Sequence, residues 1–373
     1  MPSTGAYLAI GAAAAIVTFA VTPLVKWLAA RLGWLYEPNE RTVHTTPIPD
    51  VGGIAMFVGF VASFALSRLL NVFDPLFARN FEPRGVLIAA SIIFLVGLLD
   101  DVRDLSAPAK VAGTVAAGAA LVWYGVTMFS FRMPFLDVLV LSDDWIPLVT
   151  VLWILGISQA INLIDGLDGL AAGIVAIGSF SFFLYSQHLS AGQQLLEPNI
   201  GPLVSIITVG ICVGFLPHNF NPAKIFMGDS GALLLGLLMA VSTSVVGGRE
   251  APGAKPVAGQ AYFFLAPLFI PLIILGVPIL DTVWAIIRRA RRGQGLATAD
   301  KGHLHHRLME MGHGQRRSVL ILWSWTALLS AFVLYPVITE SGVSYIPVGA
   351  AMLGLALYTV LHPQIRGRRT PGA

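Results

Sequence analysis

Three carboxylates fall within five residues at Asp100-Asp101-Val102-Arg103-Asp104, directly after the apolar run from Ile92 to Leu99. If this stretch is helical, Asp104 lies one turn from both Asp100 and Asp101, and all three are neighbours. Carboxylates crowded beside a low-dielectric medium repel one another, so they must take up protons or bind a cation. Oxygen-only ligands suit a hard ion such as magnesium, with manganese as a substitute. Magnesium keeps water and shares its shell with substrate phosphates. The plainer alternative is a solvated acidic turn partly neutralised by Arg103.

Four further polar clusters interrupt the apolar chain. The first joins Arg41-Thr42-Val43-His44 to Pro47-Ile48-Pro49-Asp50-Val51-Gly52-Gly53. The second is Asn162-Leu163-Ile164-Asp165-Gly166-Leu167-Asp168-Gly169. Its glycines allow a ligand close to the backbone, and its carboxylates can accept hydrogen bonds from sugar or base groups; turning the chain and capping the next helix is the competing use. The third runs from Pro217-His218-Asn219-Phe220-Asn221-Pro222 to Phe226-Met227-Gly228-Asp229-Ser230-Gly231. Asp229 opens an apolar run, where it would either cap a helix or hold a metal beside exposed amides suited to phosphate. The fourth, His303-Leu304-His305-His306-Arg307, holds three of the eight histidines. Zinc would want thiolate companions that are absent here, so phosphate contact or proton handling fits better.

The elements that must position these residues are membrane spans. Charged residues make up 12% of the 373, and the mean hydropathy is +0.77, a balance tolerable only where lipid is the solvent. Apolar stretches predict eleven spans, near 5–30, 51–70, 84–99, 107–127, 145–162, 169–187, 201–217, 231–247, 261–288, 317–337 and 344–362. They are expected to form one all-α transmembrane bundle over residues 1–373, with no separate soluble domain. Loops after odd-numbered spans, with the carboxyl-terminal tail, hold seventeen of the 23 Lys and Arg. The positive-inside rule therefore places the amino terminus outside, and all five polar clusters and the carboxyl terminus in the cytoplasm. The flanking Arg288, Arg289, Arg291 and Arg292 read as headgroup anchors. A formal charge of +3 without a basic aromatic stripe excludes nucleic acid as a partner, and the lone Cys212 excludes an internal disulfide. A cation-coupled transporter would need ionisable groups on a path through the midplane. Asp281 is the one candidate, and it lies nearer the cytoplasmic end.

The ordered set Asp-Asp-x-x-Asp, Asn-x-x-Asp-Gly-x-Asp-Gly, Phe-Met-Gly-Asp-Ser-Gly and His-Leu-His-His-Arg-Leu, over about residues 35 to 320, resembles the bacterial polyprenyl-phosphate N-acetylhexosamine-1-phosphate transferases of glycosyltransferase family 4. The resemblance implies transfer of a sugar 1-phosphate from a UDP-N-acetylhexosamine to a polyprenyl phosphate, with release of UMP and use of magnesium, at the bacterial inner (cytoplasmic) membrane. It implies Asp101 and Asp229 as magnesium ligands or neighbours, and Asp100 near the acceptor phosphate with Asn219 close by. Asp165, Asp168 and Phe226 would hold the uridine, with Phe226 stacking on uracil, and Asn162 opens the same substrate-binding motif. His305 and His306 would lie against the pyrophosphate. Asp104 closes the acidic motif where the muramoyl-pentapeptide branch usually has Lys. Together with His303 and Arg307, it makes the N-acetylglucosamine branch the nearer one. A second copy of the chain, as a homodimer, is a further candidate partner.

Overall fold

The computed structural model describes residues 2–36, 47–78, 80–133, 137–192, 195–247, 249, 276, 283, 284, 287, 291, 308, 309, 311–339 and 345–367. Its helices are α1 (Thr4–Leu32), α2 (Gly53–Leu69), α3 (Asp74–Ala78), α4 (Glu82–Arg103), α5 (Ala107–Trp123), α6 (Trp145–Ile164), α7 (Leu170–Ala191), α8 (Gly201–Asn219), α9 (Gly228–Gly247), α10 (Gln315–Thr339) and α11 (Tyr345–Gly367). Ten of the eleven expected spans coincide with a helix. The ninth, with Asp281, lies almost wholly outside the described residues. Among the described residues, seven helices are long and apolar enough to cross a membrane alone. The second expected span is different: α2 stops at Leu69, and the chain turns through 89° by a 3-10 turn (Asn71–Phe73) into α3. Phe73 holds that corner by packing edge-on against Tyr7 of α1, ring centroids 5.3 Å apart.

Two short hairpins lie in loops where no strands were expected. Leu35–Tyr36 (β1) pairs antiparallel with Ile48–Pro49 (β2), and Ser130–Met133 (β3) with Asp137–Val140 (β4). Neither alters the all-helical class.

Helix α9 is the axis of the bundle. Every residue from Ser230 to Gly247 is buried, and α2, α4, α6, α7 and α8 all pack against it. Small residues let backbones approach where lipid gives little hydrophobic drive between helices. A Cβ on Gly97 of α4 would collide with the backbone of Ser230, so a larger residue there would push α4 and its terminal carboxylates off α9. The carboxyl ends of α4, α6 and α8 and the amino ends of α2, α5, α7 and α9 meet at one end of the bundle. Thr4 lies at the other end, bonded to Gln187 near the far terminus of α7.

Candidate active site

The acidic cluster is built by two helix ends. Helix α4 runs past its apolar stretch to Arg103, which puts Asp100 and Asp101 on its last turn. Asp104 does not continue the helix. It is the exposed C-cap residue with φ +49°; its N–H still bonds to the Asp100 carbonyl at 2.9 Å, but its side chain is not one of the converging carboxylates. Asp229 from α9 takes the third place. Carboxylate oxygens of Asp100, Asp101 and Asp229 lie within 4.8 Å of one another.

Asp101 faces the start of α9. Its Oδ1 accepts from the backbone N–H of Asp229 at 2.6 Å, and its Oδ2 from that of Ser230 at 3.2 Å. The orphan amides of α9 are thus capped by a carboxylate from another helix. Gly228 makes room for it: its φ is +66°, and a Cβ there would press on the Asp101 carboxylate. The capping use considered for Asp229 therefore belongs to Asp101. The Asp229 carboxylate points instead to Lys110 and Asn162, accepting from Nζ at 2.7 Å and Nδ2 at 3.3 Å.

Lys110, on the first turn of α5, also pairs with Asp100 Oδ2 at 2.6 Å, while Asp100 Oδ1 accepts from the Leu105 N–H at 2.7 Å. The three-residue turn Asp104–Ser106 brings it back over the acidic motif. Lys110 was missed as a site residue because it reads as one more cytoplasmic cation; the available signal was a lysine one turn into an apolar helix beside three acids. Asp50, also missed, was visible only as the single acid in the Pro-Ile-Pro-Asp-Val-Gly-Gly cluster. It is half-buried, and burial, with Asp229 and Asp100 adding repulsion, pushes its carboxyl up to about 7. Asp165, at the end of α6, is held well above the usual carboxylate range by burial and by the charges of Asp50, Asp229 and Asp168. Both shifts share the same two causes: burial first, and then negative charge crowded at this end of the bundle.

The second substrate-type cluster is also assembled there. Asp168 is buried, its Oδ2 accepting from Asn221 Nδ2 and the Ala223 N–H, both at 2.9 Å. Asn219 accepts from the Gly169 N–H and donates to the Ile225 carbonyl, each at 3.0 Å. It staples the turn before α7 to the loop before α9. Phe226 is half-buried and fixed by its backbone: its N–H donates to the Pro49 carbonyl, and its carbonyl accepts from Gly52, both at 2.8 Å. Tyr36 meets it edge-to-face with ring centroids 6.3 Å apart. His303, His305, His306 and Arg307 lie outside the described residues.

A divalent cation fits the trio. Among the described residues, Asp100, Asp101 and Asp229 against Lys110 leave two formal negative charges, and the donors are all oxygens of the hard-ion type.

Fold and site together define a polytopic, all-helical membrane protein with an acidic centre at one end of its bundle, where the α9 amides expected to be open to phosphate are instead taken by Asp101. The Glycosyl transferase family 4 profile matches residues 84–247, a stretch that carries Asp100, Asp101, Lys110, Asn162 and Asp229. The chain is 39% identical over 331 residues to the decaprenyl-phosphate N-acetylglucosaminephosphotransferase of Mycobacterium tuberculosis (strain ATCC 25618 / H37Rv), covering 86% of this chain and 80% of the relative. It is 38% identical over 304 residues to the probable undecaprenyl-phosphate N-acetylglucosaminyl 1-phosphate transferase of Bacillus subtilis (strain 168), covering 81% and 77%. The phospho-N-acetylmuramoyl-pentapeptide-transferase of Chloroherpeton thalassium is more distant, at 29% over 327 residues, covering 79% and 81%. The protein belongs to glycosyl transferase family 4.

Proposed function

We propose that this protein transfers N-acetylglucosamine 1-phosphate from UDP-N-acetylglucosamine to a polyprenyl phosphate and releases UMP, at a magnesium-dependent site on the cytoplasmic face of the membrane. The observation that carries the reading is the meeting of Asp100, Asp101 and Asp229 around Lys110, beside a loop cluster fit for a nucleoside.

An oxygen of the lipid phosphate bonds to the sugar-bearing phosphorus as the bond to the oxygen leaving with UMP breaks. Moving a phosphoryl group between two anions is chiefly a problem of charge and position. Asp100, Asp101 and Asp229 would hold the magnesium ion, which when bound neutralises charge developing on the diphosphate. Lys110 supplies fixed positive charge to the same region. Asp100 has both oxygens engaged, which suits an orienting role better than that of a free nucleophile. Phe226 would offer a ring for the uracil, and Asp165 and Asp168, with the loop that Asp168 anchors, would hold the rest of the nucleoside.

The test is purified protein given polyprenyl phosphate with UDP-N-acetylglucosamine or UDP-N-acetylmuramoyl-pentapeptide, with magnesium or with chelator. UMP and lipid-linked product are expected from the first donor with magnesium alone. Product from the second donor only, or from neither, overturns the reading.

Two outcomes follow from the same reading. Phe226→Ala is expected to weaken the UDP-sugar by about 1–3 kcal/mol, the range for removing a base-stacking aromatic, and to leave the KM for polyprenyl phosphate unchanged. Equal losses for both substrates would make Phe226 a packing residue. For orientation, single cysteines at Thr4 and Ser106 can be labelled in a Cys212→Ser background; Cys212 is itself fully buried. Thr4→Cys is expected to label from outside intact cells, and Ser106→Cys only after permeabilisation. The reverse pattern would put the acidic centre on the wrong side for a nucleotide donor.

A further inference from the structure

Helix α10 begins with Gln315 and Arg316, and both reach the loop that holds Asp168. Asn221 Nδ2 donates to Asp168 Oδ2 at 2.9 Å and also to Gln315 Oε1 at 2.7 Å. Arg316 Nε donates to the Asn221 carbonyl at 2.9 Å and to its Oδ1 at 3.1 Å. The amide of Asn221 thus has a carboxylate and a carbonyl oxygen on its nitrogen side and a guanidinium on its oxygen side. Guanidinium groups only donate, and an ionised carboxylate only accepts. A flipped Asn221 would set its NH2 against Arg316 and its oxygen against Asp168, so Arg316 and Asp168 hold the amide in one orientation from its two ends. A second attachment keeps α10 in place. Trp323 fills the notch at Gly173, its Nε1 donating to the Leu170 carbonyl at 3.3 Å, and it packs on Phe220 with ring centroids 5.6 Å apart.

We infer that Arg316 and Gln315 are positioning residues for the donor nucleotide, acting through Asn221 to hold Asp168 and its loop in the shape the donor meets. The inference rests on the reading of Asp168 as a donor-binding residue. Arg316 itself is exposed, and among the described residues its bonds end on Asn221, so it acts through Asn221 in this scheme. Its loss acts on donor affinity and spares both the acidic trio and the lipid acceptor.

The experiment measures UDP-N-acetylglucosamine binding by calorimetry, steady-state kinetics with both substrates, and thermal melting of the purified full-length protein. Arg316→Ala is expected to raise the donor Kd and KM about tenfold, the scale of one charge-assisted hydrogen bond. The kcat and the KM for polyprenyl phosphate stay within about twofold of wild type, by the same reasoning. Arg316→Lys, which keeps a donor, recovers most of the affinity. Asn221→Ala costs as much as Arg316→Ala, and the double variant little more than either, because the two act in series. Wild-type protein that binds no UDP-sugar overturns the donor reading, and the inference falls with it. Wild type that binds, with Arg316→Ala binding equally well, overturns the inference alone. Losses spread over kcat, both KM values and melting, without rescue by lysine, reduce Arg316 to a structural tie and also overturn it.

Discussion

Asp229→Asn is expected to lower transfer by about a hundredfold to a thousandfold, the scale of removing a charge-stabilising group from a preorganised site, while the protein still inserts and melts near the wild-type temperature. Asparagine keeps the shape of the side chain and an oxygen for Lys110 and Asn162, but loses the full charge a divalent cation needs. The fold is spared because the opening amides of α9 are held by Asp101 rather than by Asp229. Asp101→Asn is therefore a different variant. Its amide offers one acceptor where two amides require one each, so the other faces an N–H2 group, and stability falls by about 1–3 kcal/mol along with turnover. UMP release, melting and a magnesium titration on both variants check this. Near-normal turnover by a folded Asp229→Asn protein would refute the metal assignment.

Lys110→Met carries the second large effect. The ammonium lies between Asp100 at 2.6 Å and Asp229 at 2.7 Å. Without it the carboxylates repel with no fixed partner, and the transferring phosphoryl group loses a fixed cation. Turnover is expected to fall about a hundredfold or more. Magnesium should behave in the opposite sense: with one positive charge removed, the half-saturating concentration falls, since the trio becomes more negative. Lys110→Arg is expected to keep part of the activity, because the charge remains but the wider guanidinium misfits a compact gap. If Lys110 were only a headgroup anchor, Lys110→Met would change neither turnover nor the magnesium requirement.

Much of the fold is legible because lipid demands long apolar helices, and those announce themselves. The bend after Leu69 is not legible, since it depends on Phe73 finding Tyr7 across the bundle. In the site, Asp100, Asp101, Asn162, Asp165, Asp168, Asn219, Phe226 and Asp229 all stand out as polar residues in an apolar chain. Their division of labour does not. Spacing puts Asp104 with its neighbours, but α4 ends one residue too soon, and the third carboxylate comes from α9. A helix-opening position leaves Asp229 open between cap and metal ligand, and the cap proves to be Asp101, 128 positions away in sequence. Lys110 and Asp50 are hidden for the same reason: each matters only through partners that tertiary packing supplies.

Helices α6 and α9 are equally apolar by composition, but a third of α6 is buried and all of α9 is. The bilayer is thus a solvent that α9 never meets once the bundle has closed. Its apolar character serves entry into the membrane, and afterwards protein takes the place of lipid on every side. An acidic centre standing on such a helix has a foundation that is insulated from changes in lipid composition and bilayer thickness. Those influences reach the outer helices first, and they act on how the acceptor arrives rather than on the geometry of the carboxylates.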